Sequence, residues 1–413
     1  MLRRLLVVLL VSCLAASSQF DRYKIYDIKP KSVSDADFLH QISVQNGYDE
    51  LHISRVLDKP AKIMVAPEQQ KEFERLLNER GMKFEITIDD VSKHFGQNNR
   101  SRQAPLPRSG RISFDRYYRH DAINSYLQEV AAKYPKYAKV ETVGKSYEGR
   151  EMKTIHISNG DGNSNKKVIF VDAGIHAREW VAPAAALYII DQLLENMDEN
   201  KNLLTNFDWL ILPSVNPDGY DYTSTHTRMW RKTRSKGLLC YGADANRNFG
   251  FHWGVVGASN SGCDDTYRGR SAFSEIESQV VRDIMLSLKG RGKFYLTLHS
   301  YGNYILYPWG WTSDLPDTWR DLDEVASAGA SAIQAATGGK YTYGSSTNTL
   351  YPAAGGSDDY AFAEADFPIS FTMELPGGGS AGFDLPESQI NAAVSEAWIG
   401  IKAMALKVND KYA

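Results

Sequence analysis

The 413-residue sequence contains only three cysteines, and beyond its first sixteen residues it has no apolar run long enough to cross a bilayer. It also lacks an excess of charge of either sign. Forty-seven Lys plus Arg stand against 50 Asp plus Glu, a formal net charge of −3. That balance excludes a nucleic-acid binder or a membrane-surface protein, both of which need a concentrated basic field. The missing apolar run speaks against a helical membrane protein. Two or three cysteines are too few to build a zinc site by themselves.

The apolar run that is present lies at the N-terminus. Arg3 and Arg4 precede Leu5 to Ala16, and Ala16-Ser17-Ser18 supplies small residues before Gln19. This is the layout of a cleaved signal peptide over residues 1–18, and the run is too short for the alternative of a membrane anchor. The product is expected to be secreted and extracellular. Cys13 leaves with the signal, so Cys240 and Cys263 remain in an oxidising compartment. A disulfide is expected, with two free thiols as the alternative.

The rest divides by composition. Residues 19–95 read as a small unit. Tyr23–Ile28 alternates like a strand, Ser34 with Asp37 matches a helix capping box, and Glu50–Ser54 and Ala61–Val65 are short strands. Pro67 is placed as the first residue of a helix running through Glu68–Arg80, Gly81 ends it, and Met82–Ile88 is a last strand. Strand-helix-strand-strand-helix-strand is the split βαβ order of a ferredoxin-like α+β domain. Residues 96–111 are proline-punctuated and poor in apolar residues. Arg100, Arg102, Arg108 and Arg111 make this linker a target for a trypsin-like protease, against the reading of an uncut interdomain tether. Asn99-Arg100-Ser101 is also a glycosylation sequon.

From residue 112 to 413 apolar strands alternate with helices. Val168–Ala173, Trp209–Val215, Phe294–Leu298 and Ile369–Met373 are the clearest strands, and Ala182–Met197, Ser274–Leu288 and Asp321–Thr337 the clearest helices. This predicts one large α/β domain with a mixed, mostly parallel sheet flanked by helices.

Chemistry collects at the ends of those strands. Val168–Ala173 runs into Gly174-Ile175-His176-Ala177-Arg178-Glu179, where a lone H-x-x-E is weak evidence in a chain with nine histidines. Its position is more telling, because open α/β sheets bind ligands beyond the carboxyl ends of their strands. His299 and Glu374 close two further strands in the same way. Two imidazoles and one carboxylate suit a catalytic zinc with a fourth position left open.

Five further segments carry a family resemblance. Asn216-Pro217-Asp218-Gly219-Tyr220, Met229 to Arg234, Asp244-Ala245-Asn246-Arg247-Asn248, Leu298-His299-Ser300-Tyr301 and Tyr351 to Tyr360 resemble, in order, segments of the A/B metallocarboxypeptidases. Residues 23 to 90 resemble that family's activation domain. The resemblance implies that His176, Glu179 and His299 hold one Zn2+ and that Asp244 orients a zinc histidine. It makes Glu374 the general base and Arg231 the cation that stabilises the developing oxyanion. Arg178 and Arg228 match subsidiary substrate positions, as does Tyr301. Asn246 and Arg247 match the clamp on the substrate's α-carboxylate, and Tyr351 the mobile tyrosine that covers the end residue. Asp358 falls where B-type members place an acid at the base of the specificity pocket, which implies a preference for C-terminal Arg or Lys. The alternative turns Asp358 to solvent. Gly310 and Ser346 align less firmly with the pocket wall. Where many relatives have an arginine after the base, this chain has Pro376 followed by Gly377, Gly378 and Gly379, which places any auxiliary carboxylate site in doubt.

The expected function is therefore a secreted zymogen whose N-terminal domain covers the cleft until the linker is cut. Its substrates would be peptide and protein C-termini. A non-catalytic zinc-binding protein on the same fold would typically lack Glu374, Arg231 or Arg247. A different metal amidase would not need the carboxylate clamp.

Overall fold

The computed structural model describes residues 20–45, 47–57, 59–96, 103–105 and 112–413. The expected signal peptide, Asn99 and the four linker arginines lie outside the described residues.

The small unit has the expected element order. Its sheet runs Tyr48–His52, Ala61–Val65, Lys24–Lys29, Lys83–Ile88, every neighbouring pair antiparallel. The period-2 alternation of its strands sorts side chains to two faces. Tyr26, Ile28, Ile63 and Val65 pack against Leu39, Phe73 and Leu77 of the helices Val33–Ser43 and Gln70–Glu79. Ile25, Leu51, Met64 and Ile88 face the other way, onto Met229, Ala381 and Phe383 of the large unit. Each such side chain is worth about 1.5–3 kcal/mol when buried, so neither face is left to solvent.

Two local expectations fail here. The first helix is capped by Ser32, whose Oγ accepts from Asp35 N at 3.2 Å, not by Ser34. The true Ser-x-x-Asp pair lies two residues earlier, and Asp37 instead accepts from Arg55 Nε at 2.7 Å. The second helix begins at Gln70, because Pro67 to Gln69 form a turn closed by Gln69 N donating to Ala66 O. Proline at N1 predicted the start three residues too early.

The large unit is built on an eight-stranded mixed sheet. In spatial order it runs Thr342–Ser345, Tyr304–Tyr307, Ile369–Leu375, Gly292–Ser300, Lys167–Ala173, Phe207–Leu212, Glu151–Ile157, Ala138–Lys145. The four central strands, Ile369–Leu375 through Phe207–Leu212, are mutually parallel. Antiparallel pairing appears towards both edges. Alternate residues again divide between faces. Ile169, Val171 and Ala173 pack under the helices Val181–Leu194, Trp319–Thr337 and Glu387–Tyr412, while Val168 and Phe170 pack on Val281 and Met285 of Ile276–Ser287. The 26-residue helix Glu387–Tyr412 and the helix His120–Lys133 were not anticipated. Phe207–Leu212 ends three residues before the expected Val215. Gly292–Ser300 and Ile369–Leu375 run two residues further than their apolar stretches, so His299 and Glu374 lie within strands and pair with each other in register.

Candidate metal centre and substrate cleft

The first two candidate ligands are placed by the turn after Lys167–Ala173. Gly174 has φ +73, and a Cβ there would meet Pro183 Cγ at 3.0 Å, so glycine lets the chain bend tightly against the next helix. Ala177 N donates to Arg231 O at 3.0 Å and fixes the turn beside the segment that carries Arg231.

His176, Glu179 and His299, all buried, bring one ligand atom each to within 4.8 Å of one another. His176 Nδ1 is 2.8 Å from Glu179 Oε1, His299 Nδ1 is 3.1 Å from Glu179 Oε2, and the two Nδ1 atoms are 3.1 Å apart. On its other side, His176 Nε2 lies 3.0 Å from Asp244 Oδ1. An ionised Asp244 can only accept, so Nε2 carries the proton and Nδ1 offers a lone pair. That lone pair faces a carboxylate oxygen and a second imidazole nitrogen. Lone pairs converging in a dry site demand a positive charge between them, and this donor set fits zinc.

The electrostatics point the same way. Burial and Arg231 hold His176 below its ordinary pKa and favour its neutral form. Burial opposes a charged His299, yet Glu179 beside it pushes that ring up to about 9. Burial would also raise Glu179, but His176 and His299 hold it far below the carboxylate range. Asp244 is likewise kept well below its ordinary value by Arg231 and His176, against the effect of burial. Arg231 donates to Asp244 Oδ2 through Nε at 3.1 Å and Nη2 at 2.8 Å, and its Nη1 stands 3.8 Å from Glu179 Oε1. Glu374, in register with His299, is different in kind. Burial pushes it up to about 7, Glu179 adds to that, and His299 and Arg231 oppose it. Its Oε2 has no hydrogen-bond partner among the described residues.

These groups open on a cavity that is also lined by Asn246, Arg247, Tyr301, Tyr351 and Asp358. Arg247 is anchored by Nε to Gly257 O and Nη1 to Asn246 O, both at 3.0 Å, and Asn246 Oδ1 accepts from Ser357 N at 2.9 Å. Asp358 is buried at the cavity wall with Thr372 as a partner, and burial raises its pKa. Asp359, the next residue, turns instead to the amides of Gly310 and Trp311. Asp358 is thus not turned to solvent. Gly310 and Ser346 also line the cavity. A Cβ on Gly310 would lie 2.8 Å from Ala353 O.

Two expected substrate residues do not line it. Arg228 spends its guanidinium on Arg178 O (2.7 Å) and Phe383 O (2.5 Å) and stacks on Trp180. Arg178 forms a two-pronged ion pair with Asp49 of the small unit.

The small unit reaches into the same cavity with Glu50, Leu51, His52 and Ile53. Glu50 hydrogen-bonds Tyr351, His40 stacks on the Tyr351 ring at 4.3 Å, and His52 stacks on Tyr301 at 5.6 Å. Arg55 donates to Thr347 O and Thr349 O, and Lys59 to Gly302 O. Asp49, Glu50 and Arg55 went unread in the sequence. Their partners in the cleft lie more than a hundred residues away, and no local pattern marks them. Cys240 and Cys263 are joined in a disulfide.

The family profile described as zinc carboxypeptidase matches residues 123–400, and that described as carboxypeptidase activation peptide matches residues 26–97. The chain is 48% identical over 299 residues to a carboxypeptidase B of Astacus astacus, covering 72% of this chain and 98% of the relative. It is 38% identical over 415 residues to zinc carboxypeptidase A 1 of Drosophila melanogaster, covering 98% of this chain and 96% of the relative. Among solved structures it is similar to the carboxypeptidase A of Helicoverpa armigera, with a TM-score of 0.88, 34% identity, and coverage of 96% of this chain and 99% of that one.

Proposed function

Because the chain belongs to the zinc carboxypeptidase family and carries that family's activation peptide, we propose that it is a secreted precursor of an exopeptidase that removes C-terminal Arg and Lys. The observation that carries the reading is the convergence of His176, Glu179 and His299 beside Glu374, in a cavity that also holds Arg247 and Asp358.

His176, Glu179 and His299 would hold zinc, which when bound polarises the scissile carbonyl and acidifies water. Glu374 takes the proton of the attacking water. As the C–N bond breaks, it passes that proton to the departing amine nitrogen. A carboxyl whose pKa is lifted by burial is suited to both halves of that transfer. Arg231 lies beside Glu179 and supplies positive charge where the carbonyl oxygen becomes anionic. Arg247 and Asn246 bind the substrate's terminal carboxylate, the guanidinium forking onto its two oxygens, and Tyr351 closes over the end residue.

Asp358 sets the preference. Its buried carboxylate gains a partner from Arg or Lys and is left unpaired by Leu or Phe, a penalty of several kcal/mol. The name of the Astacus relative is in keeping with this. Turnover of peptides ending in Arg, Lys, Leu and Phe tests it, and preference for Leu or Phe would sink it. Amide-blocked versions of the same peptides should resist hydrolysis, as the clamp requires a free carboxylate.

In the precursor, Glu50 and His40 hold Tyr351 and Asp49 holds Arg178, so the small unit blocks the cleft. Cleavage by a trypsin-like protease at one of Arg100, Arg102, Arg108 or Arg111 releases it. Limited trypsin treatment should raise activity. A precursor already fully active on peptides refutes the covering role.

A further inference from the structure

The two histidines of the centre are supported unequally. His176 donates its outer nitrogen directly to Asp244. His299 turns Nδ1 to the cluster, and its Nε2, on the far side of the ring, is buried with no hydrogen-bond partner among the described residues. An imidazole that gives one lone pair to a metal carries its proton on the other nitrogen. A buried N–H without an acceptor costs about 1–3 kcal/mol.

Two other buried atoms nearby share that condition. Thr297 lies two residues before His299 on the same strand, so both side chains take the same face. Thr297 is in register with Asp172 on the neighbouring strand. Thr297 lies close enough to Asp172 to help hold its carboxylate ionised, but neither Thr297 Oγ1 nor Asp172 Oδ1 completes a well-formed hydrogen bond among the described residues. The second oxygen of Asp172 accepts from Tyr295 OH at 2.6 Å, which pins the carboxylate in place. Asp172 and His299 are diagonal neighbours, about 7–8 Å apart by the usual spacing of paired strands. They make no direct hydrogen bond but feel each other's charge. One water satisfies two to four buried polar groups, and this face of the two paired strands offers three.

We propose that Asp172 is a positioning residue of the metal centre: pinned by Tyr295, it accepts the Nε2 proton of His299 through one buried water that also bonds Thr297, and so fixes the tautomer that presents Nδ1 to zinc. The inference rests on the reading of His299 as a ligand. Asp244 and Asp172 then perform the same task for the two rings, one by direct contact and one at a remove.

The test uses the full chain with Asp172→Asn, which keeps the shape and an acceptor for Tyr295 but loses the charge. Zinc affinity, measured by competition with a chromophoric chelator, should weaken roughly 10–100-fold, as for other residues that support a ligand. The melting temperature of the zinc-free protein should stay with the parent. The slowly exchanging Nε2–H resonance of His299 in the zinc-loaded protein should be lost. Affinity within twofold of the parent with that resonance retained overturns the proposal. So does lower zinc-free stability with unchanged affinity, the signature of packing alone. If Asp172→Asn does not fold, Tyr295→Phe decides, with a threefold to tenfold loss of affinity expected and no change refuting it. His299→Ala separates the two levels of argument: parental zinc affinity in that variant would fail the ligand reading itself.

Discussion

The two sheets of this molecule solve the same burial problem differently. The large sheet covers both faces with its own helices, Glu387–Tyr412 and Trp319–Thr337 on one side and Ile276–Ser287 on the other. The small sheet has helices for one face only and gives Ile25, Leu51, Met64 and Ile88 to the rim of the cleft. The large unit is therefore complete without its neighbour, whereas the small unit leaves an apolar face bare when it departs. Its polar grip differs too. Arg55 and Lys59 bind main-chain carbonyls, while Asp49 and Glu50 engage side chains of the cleft itself.

The largest effect expected from this contrast is on the large unit alone. Removing zinc from the trypsin-processed enzyme with a chelator should abolish hydrolysis while far-UV circular dichroism stays unchanged, because the core does not depend on the ion. Unfolding on chelation would show that the sheet is not self-sufficient. Next in size, Glu374→Gln should cut kcat/KM by roughly 10²–10⁴-fold. It should also erase the acid limb of the pH profile. The sign follows from the raised pKa: the base works deprotonated, so activity falls as pH drops through Glu374's folded value. That value lies at about 7 without a cation and lower once a dication sits beside it.

Asp358→Leu should move preference from Arg towards Leu by about 100-fold or more in relative kcat/KM, since an unpaired buried charge costs at least about 3 kcal/mol. Unchanged selectivity would remove Asp358 from the pocket argument. Asp49→Ala sharpens the contrast between the units directly. Breaking a buried pair by deleting one partner costs about 3–5 kcal/mol, part of it recovered as water reaches Arg178. Uncut precursor should then show roughly tenfold more activity on a small peptide. The smallest effect is Ser32→Ala. Loss of an N-cap should lower the stability of the small unit by about 1 kcal/mol in urea titration and leave the processed enzyme untouched.

Local pattern made the fold legible, while the roles of Arg231, Asn246, Arg247 and Asp358 came only from the family resemblance. The four central strands show as apolar runs because both their faces are buried, and the element order of the small unit shows through its alternation and Gly81. His299 and Glu374 were legible as strand ends, though the strands continue past them: polar residues inside a buried strand look like its terminus. Ser32 was passed over for Ser34 because two serines in one stretch offer competing caps, and only backbone geometry chooses. Glu387–Tyr412 was missed although its apolar residues recur at helical spacing. Arg178 matched a substrate position, but its partner Asp49 lies 129 residues away. Contacts across that distance leave no trace in spacing.

The pairing of His299 with Glu374 has one more consequence. Adjacent strands are separated by about 4.8 Å whatever side chains they carry. The separation of the His299 and Glu374 main chains is thus ruled by the backbone ladder, so one ligand and the proton acceptor start from a fixed distance. A slip of one residue would send Glu374 to the opposite face of the sheet. Pocket walls and loops can vary while these two residues keep their register in the hydrogen-bond lattice.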